Sequence, residues 1–383
     1  MMKNDSSIKR KLYCNKCNWE CTLPINFDIK LINKICLECD SEAIIKNINK
    51  EANLSEFDFL SKIVDIDNKR ETLDLIKNPN ILKLDEKPIS GFVNRWSPLI
   101  FIPRIIYEMM EKGRELNAKD VLEEFITKSL DYREFLKKIE KENNIPRGFR
   151  LSDGFPTEEK KSIKRFSRTY LGADPSKELF SERAGLSQEM GFITLNYSIE
   201  NEQELVKLGL TEVGFEALKI NLHYTTSLEV TIHKPVGASE VKLPKWFDKN
   251  DISRIFQILQ SRSKSEYAWI QFLLKQMAAS VRGLTVADIV NKEIEREMTE
   301  GQTNRWFERG SNTPLISKME DDDMDREDIE EILEKKILST ITGTLGRMKE
   351  LSLIFNFKRA RQTFYKATPQ GKDWAKKWDS EDR

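Results

Sequence analysis

Histidine is nearly absent from this sequence: only His223 and His233 occur among 383 residues. A histidine-dependent catalytic site has little material, and both fall in strand-like segments, where a structural or surface role is expected. Cysteine is absent beyond residue 39; all five lie at positions 14, 17, 21, 36 and 39. That confinement argues against a disulfide framework and for one local metal site. No long apolar run occurs either. The most apolar stretch, Leu99 to Ile102, meets Pro103 and Arg104 at once, and no export signal opens the chain. A membrane partner is therefore excluded and a cytoplasmic location expected. Net charge is also missing, because 63 basic residues balance 63 acidic ones. The whole-molecule field cannot attract a polyanion, so a nucleic-acid partner would have to be held by local patches. Phosphate-binding loops, nucleophile elbows and His-Glu-x-x-His pairs are lacking, and no catalytic residue is assigned.

What is present begins with Cys14-Asn-Lys-Cys17 and, eighteen residues later, Cys36-Leu-Glu-Cys39. Two C-x2-C turns at this separation match the spacing of a four-thiolate zinc site. A closed tetrahedral shell leaves no position for a catalytic water, so one structural zinc ion is expected, folding about fifty residues that lack a core of their own. Cys21 is a spare that would replace Cys17 at poorer spacing, and an iron–sulfur cluster uses the same four thiolates.

Hydrophobic residues make up 39% of the chain, enough for two or three cores. Residues 101–126 superpose on 269–294 without a gap at an offset of 168. Apolar residues coincide at Phe101/Trp269, Ile102/Ile270, Ile105/Leu273, Ile106/Leu274, Met109/Met277, Leu116/Leu284, Val121/Ile289, Leu122/Val290 and Ile126/Ile294. The first five pairs form one helical face. Asn117 and Thr285 then cap a second helix, with Asp120 and Asp288 in its first turn. Both copies close alike, with Leu210-Thr211-Glu-Val-Gly214 and Ala367-Thr368-Pro-Gln-Gly371. Each threonine reads as the N-cap of a helix that follows a strand directly.

Leu353–Phe357 and Gln362–Lys366 are β-rich runs joined by Lys358-Arg359-Ala360-Arg361, a hairpin with a basic tip. With a long helix expected from about 330 to 351, the order helix, helix, long helix, hairpin, helix resembles the winged helix-turn-helix of DNA-binding proteins. Residues 95–222 resemble it less completely: the third helix is either 157–170 or 176–185, and a wing near 191–201 lacks basic residues. The expected fold class is mainly α with small β-hairpins, a zinc ribbon (1–50) and connector (51–94) preceding two winged-helix-like domains. These span 95–222 and 251–383, with an acidic insertion at 300–330. Residues 225–232 between them read as a strand and 234–244 as a linker.

The neutral total hides segregation. From 345 to 378 nine basic residues face two acidic ones, a net +7 patch over the end of the long helix, the hairpin and the last helix. The winged-helix resemblance implies that Thr340, Thr342, Thr344 and Arg347 meet base edges, while Lys358, Arg359 and Arg361 position the backbone; Lys349 of the same patch is also expected to bind nucleic acid. A second cluster, Lys160, Lys161, Lys164, Arg165 and Arg168, offers phosphate contacts or a solvated helix face. Ten acidic residues between Glu320 and Glu334 read as a solvated loop and helix start, or as a segment competing for the basic face. The leading expectation is a sequence- or structure-selective DNA-binding protein, regulator-like or a recognition subunit, with RNA also open as the nucleic acid and a second copy or another protein as partner. The alternatives are a nuclease component carrying Glu229 and Glu240-Val-Lys242, a plasmid- or phage-type replication initiator, and a protein-interaction scaffold.

Overall fold

A computed structural model describes residues 9–13, 20–23 and 44–48, single positions between 66 and 91, and 93–381 apart from short gaps and 301–324. The chain divides into two units, residues 1–62 and 63–383. In the first, β1 (Lys9–Tyr13) lies between β2 (Glu20–Leu23) and β3 (Ile44–Ile48) in an antiparallel sheet. Tyr13 stands opposite Glu20 on one side and Ile44 on the other, and Cys21 stands opposite Leu12. The four expected metal ligands Cys14, Cys17, Cys36 and Cys39 lie outside the described residues.

The second unit is mainly helical and repeats one series of elements. The series opens with α1 (Ser97–Glu111) and α2 (Ala118–Glu142), followed by α3 (Lys160–Tyr170), β4 (Ala173–Asp174), β5 (Leu179–Phe180) and α4 (Leu186–Glu189). The hairpin β6 (Ile193–Glu200) and β7 (Gln203–Leu210) leads into α5 (Glu212–Ala217). After β8 (Thr226–His233), β9 (Ala238–Lys245) and α6 (Lys249–Arg262), the series recurs. Its second occurrence is α7 (Lys264–Ala279), α8 (Val286–Glu300), α9 (Arg326–Glu350), β10 (Ile354–Arg359), β11 (Gln362–Ala367) and α10 (Pro369–Glu381).

The two series are built alike at atomic detail. Between the first two helices of each, one residue bridges the second strand of the hairpin: Asn117 to Lys207, and Leu284 to Tyr365. Asn117 Oδ1 accepts from the Asp120 amide at 2.8 Å, and Thr285 Oγ1 from the Asp288 amide at 3.1 Å. At the far end, Thr211 Oγ1 accepts from the Gly214 amide and Thr368 Oγ1 from the Gly371 amide, both at 3.0 Å. Each hydroxyl donates back to the residues preceding its hairpin, Gly191 and Ser352. A Cβ on Gly214 would lie 2.1 Å from the Phe192 carbonyl oxygen, and one on Gly371 2.0 Å from that of Leu353. The Thr-x-x-Gly sequence is therefore a cap and a close approach in both series. The five apolar pairs from Phe101/Trp269 to Met109/Met277 are all buried. Pro103, which interrupts the apolar run, lies inside α1 without ending it.

The segment read as a linker instead contains β9, paired in register with β8 from Thr226–Lys245 to His233–Ala238. Pro244 is tolerated there because each strand of a two-stranded sheet is an edge. Helix α9 starts at Asp325, whose carboxylate accepts from the Asp328 amide at 2.9 Å. The acidic run from 325 onward is thus helix start, where anionic side chains favour the dipole.

The residues before α1 run along α9. A Cβ on Gly91 would strike the Ser339 carbonyl, one on Gly343 would come within 2.7 Å of Gly91, and one on Gly346 within 2.7 Å of the Asn94 carbonyl oxygen. At the end of α9, Glu350 accepts from the Trp96 and Ser97 amides and the Ser97 hydroxyl, satisfying the first turn of α1. Helix α9 therefore belongs to the core that both series share. Aromatic clusters fill the rest: Phe101, Tyr132, Phe155, Phe166 and Tyr170 in the first series, and Phe256, Tyr267, Trp374 and Trp378 around α10.

Candidate nucleic-acid interface

The hairpin β10–β11 is closed by a two-residue turn, since Arg359 stands opposite Gln362. Its central residues Ala360 and Arg361 have φ of 49° and 67°. Positive φ at both centres matches the strand twist in such a turn, and Asn-Gly is the usual solution. Here an alanine and an arginine adopt it at a cost of roughly 1–2 kcal/mol each. Behind the tip, Phe357 and Phe364 stack across the strands at 5.7 Å, with Phe355 against Phe357 at 5.9 Å. This packing and the Leu284–Tyr365 bridge hold the strained turn in place.

Lys358, Arg359 and Arg361 are all exposed, so the basic tip expected from the sequence reaches solvent. Beside it, the loop from Ser280 to Thr285 and the residues Gln362 and Phe364 line an open groove of about 740 Å³. Lys366 crosses to donate to the Val281 carbonyl at 3.0 Å, and partial burial with Lys372 nearby lowers its pKa. Arg282 and Val281 are exposed on the same loop. Arg282 was not among the expected contact residues; only its position one residue before Gly283, which bends back onto Tyr365, could have signalled it.

The helix residues expected to read bases are placed otherwise. Thr344 and Arg347 are completely buried and Thr340 is 8% exposed; of the four, Thr342 alone faces solvent. Arg347 is committed to Glu266 at 2.6 Å and to the carbonyls of Val93 and Ile89. Thr344 donates to Glu266 at 3.3 Å, and Thr340 to the Lys336 carbonyl at 3.2 Å. These three side chains are corrected from contact residues to core residues. The reason is the connector lying along α9, which covers the face a groove-reading helix would present.

Lys349, the penultimate residue of α9, is half-buried. Burial, with Arg95 beside it, pushes its pKa down to about 8. The second cluster occupies α3, resolving the choice of third helix in favour of 160–170. Lys160, Lys161 and Arg165 are exposed, whereas Lys164 and Arg168 converge on the buried Asp174. Part of this face is therefore neutralised internally.

Among the described residues no group of histidine, cysteine and acidic side chains could hold a metal ion, and no helix is long and apolar enough to cross a membrane. The register of β8 and β9 sets Glu229 opposite Lys242 and Glu240 opposite Thr231. Comparison with protein-family models, with curated proteins and with solved structures finds no match to this chain.

Proposed function

We propose that this chain is a DNA-binding protein of winged-helix construction, cytoplasmic, in which the hairpin tip rather than the third helix makes the principal contact. The observation that carries it is the exposed Lys358–Arg361 tip, held by its aromatic base in a turn its own residues disfavour. Local strain maintained at an exposed basic loop is characteristic of a working surface rather than of a solvated one. The order of α7, the bridging Leu284, α8, α9, the hairpin and α10 supports the winged-helix comparison, and a similar order in the first series, with β4, β5 and α4 inserted before its hairpin, supports a tandem arrangement.

Guanidinium and ammonium groups on a hairpin neutralise phosphates, so affinity would fall steeply with salt while sequence selection stays weak. The structural zinc site belongs to the same proposal. Cys14 follows Tyr13, and the second cysteine pair precedes Ile44, which pairs with Tyr13. Cys21 lies within β2, opposite Leu12. Fluorescence anisotropy with a random-sequence duplex at two salt concentrations tests the proposal. An Arg359→Ala/Arg361→Ala variant binds more weakly with a shallower salt slope; no salt-dependent binding by the native chain sinks it. A second reading, a nuclease component, draws on Glu229 standing two register positions from Glu240. Mg²⁺-dependent cleavage of plasmid DNA that is lost in Glu229→Gln or Glu240→Gln would replace the first reading with it.

A further inference from the structure

The groove beside the basic tip has an aromatic wall that phosphate contacts leave unused. Gln362 and Phe364 of β11 form one side, and the loop from Ser280 to Thr285 with Ala287 and Asp288 of α8 forms the other, around about 740 Å³. Clefts of roughly 300–1,000 Å³ hold small organic groups. The two sides are locked together. Leu284 and Tyr365 exchange both backbone hydrogen bonds, at 2.9 and 2.8 Å. Lys366 donates to the Val281 carbonyl and the Ser280 hydroxyl to the Gly283 carbonyl, each at 3.0 Å. Gly283 makes the close approach at φ 82°, where a Cβ would lie 3.0 Å from the Tyr365 carbonyl oxygen. The groove is therefore formed before any ligand arrives.

The register sorts the hairpin side chains between two faces. Phe357 pairs with Phe364 and Arg359 with Gln362, so these four share the groove side, while Lys358 pairs with Thr363 on the other. Phe364 is half-buried, with Phe357 stacked against it at 5.7 Å. The facing wall, from Ser280 to Asp288, carries no aromatic residue to cover it. Arg282 is exposed on that wall, and neither its guanidinium nor that of Arg359 has a hydrogen-bond or ion-pair partner among the described residues. Val281, 86% exposed, adds apolar surface at the rim. The one carboxylate among the described lining residues, Asp288, already accepts from the Thr285 amide and hydroxyl at 2.7 and 2.8 Å.

A base inside a duplex shows a protein only its edges, because both of its faces are stacked. An unpaired base offers a face, and aromatic side chains beside basic groups take it. We propose that the groove between β11 and the 280–285 loop binds an unpaired nucleotide of a DNA strand, its base against Phe364 and its phosphates between Arg282 and Arg359. The site rests on the nucleic-acid reading and gives it a preference for DNA in which a single strand leaves a duplex. Duplex phosphates then meet the hairpin tip while the single strand enters the groove. The Gln362 amide both donates and accepts, so it suits the edge of any base and selection among bases stays weak.

The test is fluorescence anisotropy at one salt concentration with three duplexes: fully paired, with a short single-stranded thymidine tail, and with the same tail made abasic. The two tails carry equal charge, so the ratio of their affinities isolates the base. The native chain should bind the thymidine tail about tenfold more tightly than the abasic one, and Phe364→Leu should bring that ratio below about twofold. A tail carrying 5-iododeoxyuridine, irradiated with the native chain, should cross-link to the peptide that holds Phe364, a readout independent of how the variant folds. A native ratio near one, an unchanged ratio in a folded Phe364→Leu, or cross-links confined to peptides outside 280–288 and 362–364 overturns the groove site. Salt-dependent binding of the paired duplex in those cases leaves the nucleic-acid reading standing. Binding of none of the three removes the reading and the site together.

Discussion

Glu266 and Arg347 pair at 2.6 Å with both side chains at 0% exposure, joining α7 to α9 in the centre of the second unit. The same carboxylate accepts from the Ile89 amide at 3.1 Å and from Thr344, while the guanidinium reaches the Ile89 and Val93 carbonyls. One ion pair therefore ties two helices and the connector together.

Removing one partner of this pair leaves a buried charge with nothing to answer it. Glu266→Gln or Arg347→Met should destabilise the unit by about 3–5 kcal/mol, read as a shift in the denaturant midpoint at constant slope. The double replacement Glu266→Gln/Arg347→Met should cost less than the sum of the two single changes, because neither charge remains. Additive losses would mean that the pair is not coupled as the geometry requires.

The two Thr-x-x-Gly caps make a paired prediction. Thr211→Val and Thr368→Val should each cost about 1–2 kcal/mol, since each loses an amide acceptor at a helix start together with a buried donor. Gly371→Ala places a Cβ 2.0 Å from the Leu353 carbonyl oxygen. It should cost about 1–3 kcal/mol more than a typical exposed helix change, because the strand and helix must part. Thermal unfolding of the single variants checks all three.

At the hairpin tip, strain and charge can be separated. Ala360→Gly relieves a positive φ and should stabilise the chain by up to about 1 kcal/mol, offset in part by the flexibility glycine adds to the unfolded chain. Its duplex affinity should stay within about twofold of native, as the charges are untouched. Arg359→Ala/Arg361→Ala should do the reverse: stability little changed, salt slope reduced by about two. Loss of binding in Ala360→Gly would show that turn geometry, not charge, carries the contact.

For the N-terminal unit, one zinc per chain is expected by metal analysis, with four thiols released to a thiol reagent on chelation. Cys14→Ser, Cys17→Ser, Cys36→Ser and Cys39→Ser should each lose the metal, whereas Cys21→Ser should keep it. Retention in Cys17→Ser with loss in Cys21→Ser would exchange the two.

Linkage through Lys349 gives a stability signature. Its folded pKa of about 8 is below the ordinary lysine value, so the unfolded chain binds the extra proton. Stability should therefore rise with pH from about 8 to about 10.5 through this group, and that rise should be missing in Lys349→Met. Urea midpoints measured across the window decide it.

What the sequence determined by itself were the features whose physics is local. The offset of 168, the caps at Asn117 and Thr285, and the Thr-x-x-Gly helix starts each rest on contacts within four residues or on one amphipathic face. The basic tip was legible for the same reason, because a hairpin turn exposes whatever it carries. Strand β9 was missed because Pro235, Gly237 and Pro244 read as breakers, although an edge strand tolerates Pro244. Only the tertiary structure decided the fate of α9. Gly343 and Gly346, unfavourable in a helix interior by about 0.5–1 kcal/mol each, make room for Gly91 and Asn94 more than two hundred residues earlier. That approach buries Thr340, Thr344 and Arg347 and brings Arg95 beside Lys349. Burial is a property of what packs against a helix, so no periodicity within α9 could have announced which of its polar residues face a partner and which face the core.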